Sequence, residues 1–313
     1  MLDLLFLLVG LVGLWGGSEL LIRAAISLAD RYRVSDAYIG MMVLAVGTDL
    51  PEIFVAVDAS MRSMTGEDYS GIVIGSAIGS CIGQFGLVFG VAGCFGFAAR
   101  PFRRGLRNAV FLLGGLAVLA AFSLDGVISR AQGWLLMGFY AAYLLSLMLW
   151  RTPVEPSGFA PPQHAFSRDL TWLLLGFLLL LVAAELTVTN AVGFAGYVGM
   201  SQLSVSAVII GMGSSLPELS VSLVALWRGR GGLSVGNLMG SNVLDTLLVP
   251  GIGAAISPLP VPPEVISVDI AVQALVTVLV LAFLYVSPRG IKAPEAILLL
   301  AIYLAYISVR LIN

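Results

Sequence analysis

Along this chain long apolar runs alternate with short polar breaks. A membrane-spanning helix needs roughly 20 apolar residues. By that rule the pattern predicts ten spans, at 2–28, 35–60, 70–98, 107–126, 131–150, 169–190, 201–227, 233–257, 264–287 and 293–312. The fold expected is all-α and polytopic, with ten transmembrane helices. Two runs are broken near their centres by polar and helix-breaking residues, Gly47-Thr48-Asp49-Leu50-Pro51-Glu52 and Gly213-Ser214-Ser215-Leu216-Pro217-Glu218. An ionised carboxylate in hydrocarbon costs several kcal/mol, so a Glu inside a span marks a functional site by default.

Composition sharpens this picture. The chain of 313 residues is 59% hydrophobic and 11% charged, with a mean hydropathy of +1.01. A soluble domain cannot hide that much apolar surface. The first run is too long for a signal peptide and lacks a basic leader, so it is expected to stay as a span. Only two cysteines are present, Cys81 and Cys94, both in one expected helix, which leaves no structural disulfide and no Cys metal site. The single histidine, His164, lies in a polar loop. The inventory thus excludes a zinc cluster and an intramembrane His relay.

The charges matter by their side of the membrane. With the N-terminus outside, the inside loops carry Arg31, Arg33, Arg100, Arg103, Arg104, Arg107, Arg151, Arg168, Arg228, Arg230, Arg289 and Lys292. The outside segments carry Arg62, Arg130 and Arg310, and Arg23 lies within the first span. Twelve against three fits the positive-inside rule, so both termini are expected outside the cell (inner) membrane. Residues 151–168, rich in proline, become an extended cytoplasmic linker. The Arg100–Arg107 cluster is read as a topology signal that contacts lipid headgroups.

Folding the chain at that linker exposes a repeat. At an offset of 166, Glu19, Ala25, Ala29 and Ser35 align with Glu185, Ala191, Ala195 and Ser201. At the same offset Gly47, Leu50, Pro51, Glu52 and Val55 align with Gly213, Leu216, Pro217, Glu218 and Val221. At an offset of 161, Gly75, Gly79, Ser80, Leu87, Val88 and Gly90 align with Gly236, Gly240, Ser241, Leu248, Val249 and Gly251. The expected organisation is a five-helix repeat over 1–150 (motif residues 47–52 and 75–90), the linker, and a second repeat over 169–313 (motif residues 213–218 and 236–251). Five spans per half invert the second repeat relative to the first. Inverted repeats with Gly/Pro-interrupted helices at matching positions mark the midplane site of a secondary transporter.

The chemistry at these positions is oxygen-only. Pro51 and Pro217 donate no hydrogen bond and free carbonyls about one turn upstream, with Ala45, Gly47, Gly211 and Gly213 as candidates. Such carbonyls are tolerated where they face a cavity or an ion. Glu52 and Glu218 follow each break, and Thr48, Ser214 and Ser215 precede them. The third and eighth spans add Ser80 and Gln84, and Ser241 and Asp245, each pair four residues apart on one helix face. Carboxylate, hydroxyl and carbonyl oxygens are the ligands of hard cations such as Ca²⁺ and Na⁺. A buried structural carboxylate is the plain alternative for Glu52 and Glu218, but two Pro-Glu breaks in register with a repeat have no evident structural motive. Asp49 either coordinates an ion or faces a water-filled vestibule. Glu19 and Glu185 suit helix gating or a vestibule better than ligation, and Cys81 suits plain packing.

The paired Gly-[Ser/Thr]-x-Leu-Pro-Glu and Gly-Ser-Asn-type motifs, with the five-plus-five layout, resemble the cation/calcium exchanger superfamily over essentially the whole chain. The resemblance implies a sodium/calcium exchanger-like membrane antiporter of prokaryotic type, in which one central site alternates between Ca²⁺ and Na⁺, or K⁺ or H⁺ in some branches. It implies that the first and sixth spans slide across the remaining bundle. Carried over by motif position, Glu52 and Glu218 become the shared carboxylates. Thr48, Ser214, Ser215, Ser80 and Ser241 become hydroxyl ligands, Ala45 and Gly211 lend carbonyls, and Gln84 and Asp245 flank the centre. Three positions depart from the family pattern: Asp49 replaces a small hydroxyl residue, Cys81 an Asn, and Gln84 an Asn or Asp. With Asp49 the cluster reaches a formal −4, and like charges at low dielectric call for protons or extra monovalent cations to share the site.

The reading that results is a Ca²⁺/Na⁺ antiporter and not an enzyme, with coupling to H⁺ or K⁺ as the alternative. An intramembrane hydrolase would need a catalytic pair that the sequence lacks. A passive cation channel would suit an oligomer with an axial pore better than an internally inverted monomer. The expected partners are inorganic cations as substrates and the lipid bilayer, without nucleic acid; the monomer is the expected functional unit, and no cofactor is implied.

Overall fold

The computed structural model describes residues 2–65, 70–94, 106–149, 165–197, 215–286 and 291–312. In hydrocarbon every backbone N–H and C=O must be satisfied within the protein, so the apolar runs become helices. Those described are α1 (Leu2–Tyr32), α2 (Asp36–Thr48), α3 (Leu50–Ser63), α4 (Gly71–Cys94), α5 (Leu106–Ser123), α6 (Arg130–Leu149), α7 (Phe166–Tyr197), α8 (Leu216–Trp227), α9 (Gly231–Ile256), α10 (Val265–Tyr285) and α11 (Ala293–Ile312). Seven of them are long and apolar enough to cross a membrane, or eight if the bent pair α2–α3 is one span, while α5 and α8 are apolar but shorter. The protein is therefore an all-helical, multi-pass membrane protein. The first part of the expected seventh span, 201–214, lies outside the described residues, as does the 151–164 part of the linker.

Three features escaped the hydropathy pattern. Wider π-helical turns occupy Gly40–Leu44, Gln84–Val88 and Val265–Asp269, inside or at the start of α2, α4 and α10. Pro250 sits inside α9 without ending it. A two-residue antiparallel ladder joins β1 (Val127–Ile128) to β2 (Leu259–Pro260), linking the loop after α5 to the loop after α9.

The packing falls into two hydrophobic clusters. One draws on α4, α5, α6, α9, α10 and α11, with Phe85, Phe89, Tyr143 and Tyr303 among its largest buried side chains. The other joins α1 and α7 to α8 and the start of α2. Helix α9 is the hub, buried along nearly its whole length. Small residues bring its neighbours close: a Cβ on Gly133 of α6 would lie 2.6 Å from the Ala255 nitrogen, and one on Gly240 would lie 2.9 Å from Met41 Cα. Helices α1 and α7 pack in the same manner, with Gly10, Gly13 and Gly17 against Thr187, Ala183 and Leu180. Close approach through small residues is how helices associate where lipid removes the hydrophobic drive. Their other faces expose Leu5, Leu8, Val12, Leu174, Leu178 and Val182.

Charged groups tie the helix ends together. Arg31 of α1 pairs with the buried Asp169 of α7 at 3.2 Å, and Arg230 pairs with Asp36 at 3.5 Å. Glu19 of α1 pairs with Arg23 on its own helix and with Arg228 just beyond α8. Asp269 and Arg310 join α10 to α11.

Candidate ion-binding site

The site forms where the chain cannot continue as a straight helix. Between α2 and α3 the axis bends by 43°, and Asp49 is the residue at the break, with φ −88° and ψ 6°. Pro51 falls in the first turn of α3, where its missing N–H costs nothing, and its ring removes the donor that Gly47's carbonyl would have met. Ser215 begins α8 with φ −92° and ψ 4°, again followed by a Pro in the first turn. The same helix start is thus built twice, from residues 166 positions apart.

Each break aims a carboxylate along a helix start. Glu52 and Glu218 lie in the first turns of α3 and α8, where aligned peptide dipoles favour negative charge. Asp49, Glu52 and Glu218 each bring one oxygen to within 4.8 Å of the others. Their exposures are 0, 3 and 0%; among the described residues no donor stands in hydrogen-bond geometry to any of their six oxygens, while Asp49 and Thr48 lie beside Glu218. Buried polar atoms are nearly always bonded, and charged ones must be paired or bind a cation. Three carboxyl groups with unshared lone pairs around one buried centre make a candidate cation site.

The spacing has a size. Ca²⁺–oxygen bonds run about 2.3–2.6 Å, so oxygens on one Ca²⁺ stand up to roughly 4.6–5.2 Å apart. Oxygens no more than 4.8 Å apart can therefore share one such cation.

The remaining expected residues are placed as follows. Ser215 Oγ and Ser241 Oγ are buried and unpartnered. Ser215 sits against α4, where a Cβ on Gly83 would lie 2.8 Å from its Oγ. Thr48 Oγ1 lies 3.4 Å from the Ala45 carbonyl and 3.5 Å from Asn237 Oδ1. The Ala45 carbonyl accepts both the Thr48 hydroxyl and, at 3.1 Å, the Asp49 N–H. Ser80 Oγ accepts a hydrogen bond from Gln84 Nε2 at 3.1 Å, and the same nitrogen donates to Asp245 Oδ2 at 3.0 Å. Asp245 is a charged neighbour of both Asp49 and Glu52, and its Oδ1 is unpartnered. Ser214 and Gly211 lie outside the described residues. Glu19 is on the ion pair with Arg228, while Glu185 accepts a hydrogen bond from Thr189 at 3.1 Å.

The repeat mates meet in space. Glu52 faces Glu218, Gln84 bonds Asp245, and Cys81 Sγ lies 3.6 Å from the carbonyl oxygen of Asn242, its partner at the 161 offset. Helices α4 and α9 therefore cross at equivalent residues beside the carboxylates.

Four neighbours were not singled out from the sequence. Asn242 Nδ2 donates to Gln84 Oε1 at 2.5 Å and fixes that amide's orientation. Asn237 approaches Thr48 from α9, and its position one turn before Ser241 was the available signal. Thr246 lies 3.6 Å from Cys81 Sγ and accepts from Gln273 at 2.8 Å, so Cys81 is part of a polar chain and not only packing. The Phe177 ring of α7 covers Gly47, a contact that no sequence pattern announces.

The comparisons with known proteins agree on a family. The profile described as "Sodium/calcium exchanger protein" matches residues 2–149 and 169–312. The putative antiporter CaxA of Alkalimonas amylolytica is 33% identical over 267 residues, covering 81% of this chain and 81% of its own. The inner membrane protein YrbG of Escherichia coli K12 is 29% identical, covering 87% and 86%. Among solved structures, the sodium-calcium exchanger NCX_Mj, soaked without Na⁺ and Ca²⁺, superposes with a TM-score of 0.82 at 32% identity, covering 98% of each chain.

Proposed function

This chain belongs to the sodium/calcium exchanger protein family, a family of transporters and not enzymes, and from that premise we propose that it exchanges Ca²⁺ for Na⁺ across the membrane by alternating access at one central carboxylate site. The observation that carries the reading is the meeting of the repeat-equivalent Glu52 and Glu218 with Asp49, all buried, with no donor among the described residues in hydrogen-bond geometry to any carboxylate oxygen. Thr48, Ser214, Ser215, Ser80 and Ser241 supply hydroxyl ligands, Ala45 and Gly211 supply carbonyls, and Gln84 and Asp245 flank the centre.

The frame proposed is ten helices in two inverted five-helix repeats, 1–150 and 169–313, joined by the cytoplasmic linker 151–168. Parity supports it. The β1–β2 ladder, the Arg31–Asp169 pair and the Arg230–Asp36 pair each join segments that ten spans place on one side. The contacts between repeat mates on α4 and α9 are those that a pseudo-two-fold axis between inverted repeats would produce, and so support it. The protein works as a monomer in the cell (inner) membrane, both termini outside.

Proteoliposomes with an outward Na⁺ gradient and external ⁴⁵Ca²⁺ test the reading. Gradient-dependent uptake is expected, with at least a hundredfold loss in Glu52→Gln or Glu218→Gln. Intact exchange in either variant would remove the site assignment, and saturable current without trans-stimulation would indicate a channel. A second reading, coupling to H⁺ or K⁺, is favoured by one observation: Asp49 adds a carboxylate to the cluster. Uptake that follows a pH or K⁺ gradient instead of Na⁺ would select it.

A further inference from the structure

The two repeats differ at two linked positions. The residue at the helix break is Asp49 in the first and Ser215 in the second; the residue on the long crossing helix is Gln84 in the first and Asp245 in the second. Each half therefore contributes one carboxylate here, but from different places. The structure shows what each does. Asp49 sits with Glu52 and Glu218 in the group whose oxygens lie within 4.8 Å, and both its oxygens are unpartnered and buried. Asp245 is outside that group. Its Oδ2 is held by Gln84 Nε2 at 3.0 Å. Gln84 is held in turn: its carbonyl oxygen accepts from Asn242 at 2.5 Å, and Asn242 also donates to the Leu238 carbonyl at 3.1 Å. The amide thus faces Asp245 with its donor side and cannot turn without losing Asn242. Ser215 Oγ, the counterpart of Asp49 in the second repeat, is buried and unpartnered beside Gly83.

We infer that Asp49 is the third ligating carboxylate for Ca²⁺ in this protein, and that Gln84 acts as a positioning residue that ties Asp245 back from the ion. The inference rests on the site assignment above and deepens it. Carboxylate oxygens bound to Ca²⁺ must turn lone pairs to the ion. Asp49's oxygens meet no amide or hydroxyl donor among the described residues, their near neighbour being the Glu218 carboxyl, whereas Asp245 has one oxygen committed to a neutral donor. The charge that binds the divalent ion is in this way moved from a continuous helix to a broken one. All three ligating carboxylates then lie at or just after a helix start.

Equilibrium binding of ⁴⁵Ca²⁺ to the purified full-length chain in detergent, without Na⁺ and at fixed pH, tests this. Asp49→Asn is expected to weaken binding more than tenfold, and Asp245→Asn by less than Asp49→Asn does. Gln84→Ala in the Asp49→Asn background is expected to recover part of the loss by releasing Asp245. An equal or larger loss in Asp245→Asn overturns the inference. If Asp49→Asn does not yield folded protein, Asp245→Asn decides alone: a loss below tenfold supports the inference and a larger one overturns it. The wild type and Glu52→Gln keep the two proposals apart. Wild type that binds no Ca²⁺, or Glu52→Gln that binds normally, removes the site itself. A site that passes both leaves Asp49 and Asp245 to decide this inference.

Discussion

Gly47 has no room for a methyl group, because the Phe177 ring of α7 occupies the space where its Cβ would stand. Gly47→Ala would force the ring or the helix aside, at a cost of about 1–3 kcal/mol for overpacking. Thermal unfolding in detergent should show a lowered midpoint for Gly47→Ala, and Phe177→Ala should restore part of it in the double variant. A midpoint unchanged from the wild type would show that the ring has freedom the packing denies it. At this scale the sequence was legible where chemistry repeats. Glu52, Glu218 and the two breaks could be read because Pro and Glu recur at one offset, and the backbone angles of Asp49 and Ser215 agree within a few degrees. The hold of Gln84 on Asp245 was not legible, since it depends on Asn242 reaching across from α9. Phe177 was hidden for the same reason: side chains 130 positions apart carry no mutual pattern.

At the scale of elements, α1 meets α7 on a face of glycines and meets α8 through polar contacts. Ser18 Oγ donates to Ser220 Oγ at 2.8 Å, Ser220 Oγ donates to the Leu14 carbonyl at 3.0 Å, and Trp15 packs on Trp227 with centroids 6.5 Å apart. If α1 moves with α7 against the rest of the bundle, as the sliding pair implied by the resemblance requires, the α1–α8 contacts must break during each cycle. A disulfide between Ser18→Cys and Ser220→Cys, in a background without Cys94, should therefore abolish exchange until it is reduced. A disulfide between Gly13→Cys and Ala183→Cys, within the pair, should leave most of it. Exchange that survives the first cross-link would exclude motion at that seam. Apolar length made the existence of these helices readable. It could not place the π-helical turns, because a wide turn changes which residues face each other and not how apolar they are.

For the whole molecule, the arrangement of sides is the claim most open to test. Single cysteines placed near either terminus of a Cys94-free chain should react with a membrane-impermeant maleimide added outside intact cells, whereas one in the linker, at His164, should react only after lysis. Labelling of the linker in intact cells would invert the topology. The charge pattern carried this expectation because lysine and arginine are sorted during insertion. The β1–β2 ladder that ties the loop after α5 to the loop after α9 had no signature, being two residues on each side. One dimension of the molecule has a further meaning. Helices α1 and α7, at 31 and 32 residues, are each about 46–48 Å long at 1.5 Å per residue, against a hydrocarbon thickness of about 30 Å. Part of that excess is taken up by tilt, and what remains leaves room for travel. A rod longer than the slab it crosses can be pushed along its own axis by several ångströms while greasy side chains still fill the slab from face to face. If this pair slides as proposed, the surrounding lipid is its bearing, against which a stroke meets little resistance from water.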